Sequence, residues 1–204
     1  MKEKDYIRDI AEIRSMMERS SKFLSLSGWA GVLAGIYALL GAYIAYSLFH
    51  FNPDQIAYSN NELPVDLSKV VLLAIIILTL TVGSAILLSS KKANKRGESL
   101  WNPTSKHLLT SMAVPLITGG LLILILISQG LIGLIAPFTL IFYGLALYNA
   151  GRYTYGDLKI LGLIEIGLGV FGSYYVEYGL ILWALGFGIM HIIYGIHLHY
   201  KYEK

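Results

Sequence analysis

Six long apolar runs, at about 27–50, 69–90, 107–128, 130–150, 158–175 and 178–199, alternate along the chain with short polar segments. A helix needs roughly 20 mostly apolar residues to cross the hydrocarbon of a bilayer. The pattern therefore predicts an all-α fold, a polytopic integral membrane bundle of six transmembrane helices over residues 27–204. Two of the three connections on one side are very short, Gln129-Gly130 and roughly 174–178, so runs 3–4 and 5–6 read as tight antiparallel hairpins.

Ahead of the first run the pattern changes. Over residues 3–25, Tyr6, Ile10, Ile13, Met17, Ser20 and Leu24 recur at spacings of four and three, with charges between them, which predicts an amphipathic helix. Arg8 with Glu12, Arg14 with Glu18 and Glu18 with Lys22 are i,i+4 pairs that support it. The segment 1–26 is thus expected to be a cytoplasmic or interfacial helix lying on the anionic leaflet, or docking a soluble partner. Its length and mixed charge do not suit a cleaved signal, so run 1 is expected to stay attached as an anchor.

Charge gives the bundle a direction. The chain holds 16 Lys and Arg residues, and all but Lys69 fall on one side of the six-run topology. The positive-inside rule then predicts both termini in the cytoplasm of a bacterial-type inner (plasma) membrane. The same placement accounts for the formal charge of +3 without nucleic acid, and the lipid bilayer is the expected partner. With 55% hydrophobic and 14% charged residues, the composition lies outside that of a soluble domain. The absence of cysteine excludes disulfides, thiolate metal sites and cysteine nucleophiles.

Glycine organises the interior. Gly31 and Gly35 form a small-xxx-small pattern on run 1, while Gly162 and Gly169 on run 5 and Gly188 and Gly195 on run 6 are spaced for close helix packing. Packing within one chain is the plain reading of Gly31 and Gly35; a homo-oligomer seam is the alternative.

Two ionisable residues stand deep in apolar runs, Glu165 and His191. An ionised carboxylate at such depth costs several kcal/mol, so it demands a proton, a partner or water. Glu165 lies roughly 10 Å above Leu158 and His191 about 13 Å from Tyr200, so antiparallel neighbours would bring the two to one height. Gly162, Gly169 and Gly172 share the helical face of Glu165, and Ala184, Gly188 and Gly195 flank His191, which predicts that both look inward. Tyr194 could add a hydroxyl, and Arg152 in the loop below could close over the pair or meet a lipid headgroup. Such a pair could relay protons, bind a cation or hold a polar ligand; a structural hydrogen bond pinning the last hairpin competes with that reading.

The remaining histidines point to no cofactor. His107, His197 and His199 gather at the inner boundary, where haem or a metal ion is only a remote reading, and no zinc-binding motif accompanies them. Asp157 is expected to cap run 5. No phosphate-binding glycine loop or catalytic triad appears.

The stretch through Arg14, Met16-Met17-Glu18-Arg19-Ser20-Ser21 and Phe23-Leu24-Ser25-Leu26-Ser27-Gly28, continuing over 31–35, resembles small uncharacterised six-span bacterial membrane proteins. The resemblance implies a bacterial membrane setting and no particular activity. Together these features predict a small binding or transport protein, for a small molecule, an ion or a proton, working through a midplane site of Glu165, His191, Tyr194 and Arg152. The alternative is a non-catalytic scaffold or signalling partner of a cytoplasmic protein.

Overall fold

The computed structural model describes residues 23–51, 67–95, 97 and 99–203. The heptad-like pattern over 3–22 lies outside these residues. Of its last positions, 23–27 are not helical, and Ser27 has an extended backbone (φ −94°, ψ 131°), so the amphipathic segment does not run on as a helix to residue 26.

All regular structure among the described residues is helical. The elements are α1 (Gly28–Ser47), α2 (Leu67–Lys95), α3 (Pro103–Ser128), α4 (Ile135–Ala150), α5 (Asp157–Tyr174) and α6, which spans 179–202. Short 3-10 turns, Ile132–Leu134 and Val176–Tyr178, lead into α4 and α6. The last helix is not uniform: Gly179–Trp183 is α-helical, Ala184–Met190 is π-helical and His191–Tyr202 is α-helical again.

Among the described residues, five stretches are long and apolar enough to cross a membrane: Gly28–Ser47, Leu67–Lys95, Pro103–Ser128, Ile132–Ala150 and Val176–Tyr202. α5 is shorter, at 18 residues, and holds Asp157, Lys159 and Glu165. Large apolar side chains such as Leu78, Leu87, Val114 and Leu124 stand exposed on α2 and α3. That is the surface of an integral membrane protein, because lipid accepts such side chains and water does not.

Local sequence explains the clearest helix start. Ahead of α3, the Asn102 side chain accepts from the Ser105 N–H at 2.8 Å while the Ser105 hydroxyl accepts from the Asn102 N–H at 3.0 Å. This reciprocal cap satisfies two otherwise orphaned donors, and Pro103 fits the first helical position, where no N–H is needed.

The helices form a row. α1 lies between α2 and α6, α4 lies between α3 and α5, and the first half of α6 joins the two groups by packing on α4 and α5. Glycine sets both seams. A β-carbon on Gly35 would stand 2.5 Å from the Gly188 carbonyl oxygen, and one on Gly195 would stand 2.5 Å from that of Gly28. Gly31 and Gly35 are therefore spent on packing within the chain. On the other seam, added β-carbons on Gly144 and Gly162 would each lie 2.6 Å from the other's carbonyl oxygen, and one on Gly169 would lie 2.6 Å from that of Pro137. The glycine face of α5 thus packs on α4; the expected close contact with α6 involves only Gly172, near Leu182.

One end of the bundle is tied by polar bonds, and we call it the basal end. The segment 23–27 threads across it: Phe23 N–H donates to Tyr153 O (2.7 Å), Thr154 donates to Phe23 O (2.6 Å) and Tyr155 donates to Leu24 O (2.6 Å). Lys92 of α2 adds a bond to Leu26 O at 2.5 Å. An extended segment has no ladder of its own, so these side chains satisfy the carbonyls it would otherwise bury unpaired.

Candidate functional site

Glu165 is fully buried, 0% exposed, in the middle of α5. Its carboxyl meets the backbone of Gly186 on α6: a β-carbon there would strike the Glu165 carboxyl and would come within 2.6 Å of Leu140 Cδ2 on α4. Only glycine leaves room for the carboxyl at that position. Gly186 belongs to the π-helical stretch, whose wider turns displace the backbone from the α-helical path and recur at functional positions.

His191 stands at the end of the same stretch, buried, with both ring nitrogens engaged. Nδ1 lies 3.0 Å from the Gly186 carbonyl oxygen and Nε2 lies 2.9 Å from the Tyr143 hydroxyl of α4. A carbonyl can only accept, so Nδ1 carries a proton toward Gly186; in the neutral ring Nε2 then accepts from Tyr143 O–H. The imidazole is further enclosed by Phe187, stacked at 5.9 Å and 11°, and by the Tyr143 ring at 5.4 Å.

The pair expected from the sequence does come together. Nδ1 of His191 lies 3.4 Å from Glu165 Oε1. This is within ion-pair range but longer than a well-formed hydrogen bond, and neither carboxyl oxygen of Glu165 has a hydrogen-bond partner. Both ring nitrogens of His191 are engaged by Gly186 and Tyr143, and Glu165 is the group left over. A buried carboxyl in that position is expensive whatever its charge.

Tyr194, one turn beyond His191, makes no bond to the pair. Its hydroxyl is buried without a hydrogen-bond partner, and its ring packs with that of Tyr143 on the core formed by Phe23, Leu108, Leu147, Ala150, Leu158 and Leu161. Arg152 is exposed in the basal loop between α4 and α5. Two turns of α5 separate that loop from Glu165, so Arg152 does not close over the carboxyl.

Asp157 does not cap α5; Gly156 occupies that position, without a side-chain bond. The Asp157 carboxylate turns instead to the end of α6, where Oδ2 accepts from Lys201 at 2.8 Å, from His197 at 3.1 Å and from Tyr202 at 3.2 Å. The Lys201 bond chiefly, with those from His197 and Tyr202, holds this carboxyl below its ordinary range, against the opposing effect of burial.

The boundary histidines have separate partners. His107 stacks on Tyr153 at 6.1 Å, His197 binds Asp157, and His199 donates to Glu203 at 2.7 Å. Among the described residues no three His, Asp or Glu side chains gather as a metal-binding group.

Tyr143 and Gly186 are the site residues that sequence reasoning missed. Tyr143 could have been found: it falls at +3 from Leu140, −4 from Leu147 and −7 from Ala150, all buried on one face of α4, and about 10 Å above Ala150, the height assigned to Glu165. Gly186 had no comparable signal, since a change of hydrogen-bond register leaves no mark in an apolar sequence.

No family model, curated protein or solved structure matches the chain.

Proposed function

We propose that the chain is a six-span protein of a bacterial-type inner membrane, with both ends cytoplasmic, that binds and moves an ion or a small polar solute through Glu165. α5 supplies the sixth span: its charges lie at its basal end and at the buried Glu165, and its remaining side chains are apolar or small. The basic residues Lys91, Lys92, Lys95, Lys106, Arg152 and Lys159 fall at helix ends or in the segments between them, on one side of that topology, which supports the orientation.

One observation carries the functional reading: Glu165 is wholly buried, neither of its oxygens is hydrogen-bonded, and the histidine beside it is already satisfied. A carboxyl kept solely for structure would be bonded. One held in reserve at the centre of a membrane bundle is suited to taking up a cargo. The test is flux: purified protein in liposomes, with H+, Na+ and K+ gradients imposed in turn, comparing wild type with Glu165→Gln. Loss of one flux in the variant supports the proposal; equal fluxes of all three ions would sink it.

The clamp on 23–27 favours a second reading, a scaffold. Bonds with Tyr153, Thr154, Tyr155 and Lys92 fix the point at which the charged segment 1–22 joins the bundle, as a platform for a soluble cytoplasmic partner requires. This reading predicts no ion flux and no effect of Glu165→Gln.

A further inference from the structure

The basal end divides its charges unevenly. The Glu203 carboxylate takes Lys92 and His199, and that of Asp157 takes His197 and Lys201. Among the described residues no carboxylate is bonded to the cationic side chains of Lys106, Arg152 or Lys159. These three belong to one corner, around the loop between α4 and α5. The stem of Lys159 lies against Gly151, where a β-carbon would stand 2.5 Å from its Cγ. On the other side of the loop α3 brings His107, the neighbour of Lys106, onto the Tyr153 ring at 6.1 Å.

The loop that presents Arg152 is fixed from beneath. The Tyr153 carbonyl accepts from Phe23, while Thr154 and Tyr155, 0% and 4% exposed, donate to the carbonyls of Phe23 and Leu24. Arg152 is exposed above them. A guanidinium held on an immobile loop gives up little freedom on binding, and its planar set of donors matches the oxygens of a phosphate. The Lys159 stem, packed on Gly151, keeps an ammonium beside it.

We propose that this corner binds the headgroup phosphate of an anionic phospholipid, with Arg152 and Lys159 on the phosphate and Lys106 at its edge. The apolar surface beside it suits the rest of such a molecule. Leu145 and Tyr148, seven and four residues before Arg152, are the large apolar side chains that α4 leaves exposed, and Leu163 stands exposed on α5 one turn beyond Lys159. Tyr148 and Gly162 are in backbone contact, so the two surfaces adjoin. A free phosphate would use the cations alone; a lipid uses both parts. The site asks nothing of Glu165.

Native mass spectrometry of the full chain in a non-ionic detergent tests it. Wild type titrated with phosphatidylglycerol should retain one lipid molecule and should not retain phosphatidylcholine, whose headgroup adds a cation. The double variant Arg152→Gln with Lys159→Gln should bind phosphatidylglycerol about thirtyfold more weakly, about what two basic groups contribute at an anionic headgroup. Lys91→Gln with Lys95→Gln removes two exposed cations of the same end, carried by α2, and should leave binding unchanged. Equal weakening in both double variants would reduce the site to general attraction and overturn the proposal. Displacement of the lipid by millimolar inorganic phosphate would make free phosphate the ligand and overturn it too. The comparison of the two lipids needs no variant: equal retention of phosphatidylcholine by wild type is enough to reject the site.

Discussion

Lys92 and Glu203, 111 residues apart in the sequence, meet at 3.0 Å at the basal end. Glu203 Oε1 also accepts from the Gly28 N–H at 2.8 Å, and Oε2 accepts from His199 at 2.7 Å. One carboxylate therefore caps the start of α1, whose first N–H groups have no partner within the helix. Through Lys92 it also ties α2 to α6 and to the segment 23–27.

Removing that carboxylate should loosen the end. Glu203→Gln leaves Lys92 and Gly28 with a weaker partner, and we expect a loss of about 1–3 kcal/mol, read as a lower thermal midpoint in detergent. A Lys92→Met variant should lose a similar amount, and the double variant less than the sum, since both remove one bond.

The pH dependence has a definite sign. Burial alone would raise the Glu203 carboxyl, but the bonds from His199, Gly28 and Lys92 more than offset it and hold it low; Asp157 is held low as well, chiefly by Lys201. A carboxyl lowered by folding adds stability above its unfolded value, about 4, and loses it as pH falls through the lowered folded value. The thermal midpoint should be insensitive to these two groups from about pH 8 to 5 and fall below about pH 4. Glu203→Gln and Asp157→Asn should each flatten that acid limb. An acid limb unchanged in the double variant would show that other carboxyls control it.

At the centre the expectation is reversed. Because His191 is satisfied by Gly186 and Tyr143, Glu165→Gln should fold as well as wild type or better, whereas Tyr143→Phe strands a buried ring nitrogen and should cost about 1–3 kcal/mol. A double-mutant cycle between Glu165 and His191 should give a coupling below about 1 kcal/mol. A larger coupling, with Glu165→Gln strongly destabilised, would make the pair a structural one and remove the argument for a reserved carboxyl.

How much of this could be read beforehand depended on whether a feature changes composition. Glu165 and His191 stand out because a polar residue in an apolar run is costly, and matched depth on antiparallel helices was enough to bring them together. Gly35, Gly188 and Gly195 were legible as a packing face, but not their pairing, because glycine periodicity marks a close approach without naming the partner. Gly162 and Gly169 were legible in the same way, and their partner proves to be α4. The role of Asp157 was hidden because its partners His197, Lys201 and Tyr202 come from the far end of the chain. The π-helical turn was invisible, since Ala184–Met190 reads as ordinary apolar helix.

Gly186 tests whether that turn matters to the site. Gly186→Ala inserts a methyl against the Glu165 carboxyl and Leu140, both fixed by packing. Overpacking of this kind costs about 1–3 kcal/mol, and the carboxyl must shift from its position beside His191. We expect a lower thermal midpoint together with loss of the flux assigned to Glu165. Retained flux at lowered stability would separate the turn from function.

The glycine seams predict opposite outcomes from one chemical change. Gly195→Ala would place a methyl 2.5 Å from the Gly28 carbonyl oxygen and 2.6 Å from the Val32 nitrogen, both backbone atoms that can yield only by moving α1 away from α6. That separation breaks the seam along its length, and we expect misfolding or a loss of about 3 kcal/mol or more. Gly120, in the middle of α3, has nothing within 4 Å of the site of an added methyl. There alanine only removes the conformational freedom of glycine in a helix, worth up to about 1 kcal/mol of added stability. Thermal unfolding of the two variants side by side decides the matter: if Gly195→Ala is tolerated as well as Gly120→Ala, α1 and α6 do not pack backbone to backbone, and the row of helices would need to be rebuilt.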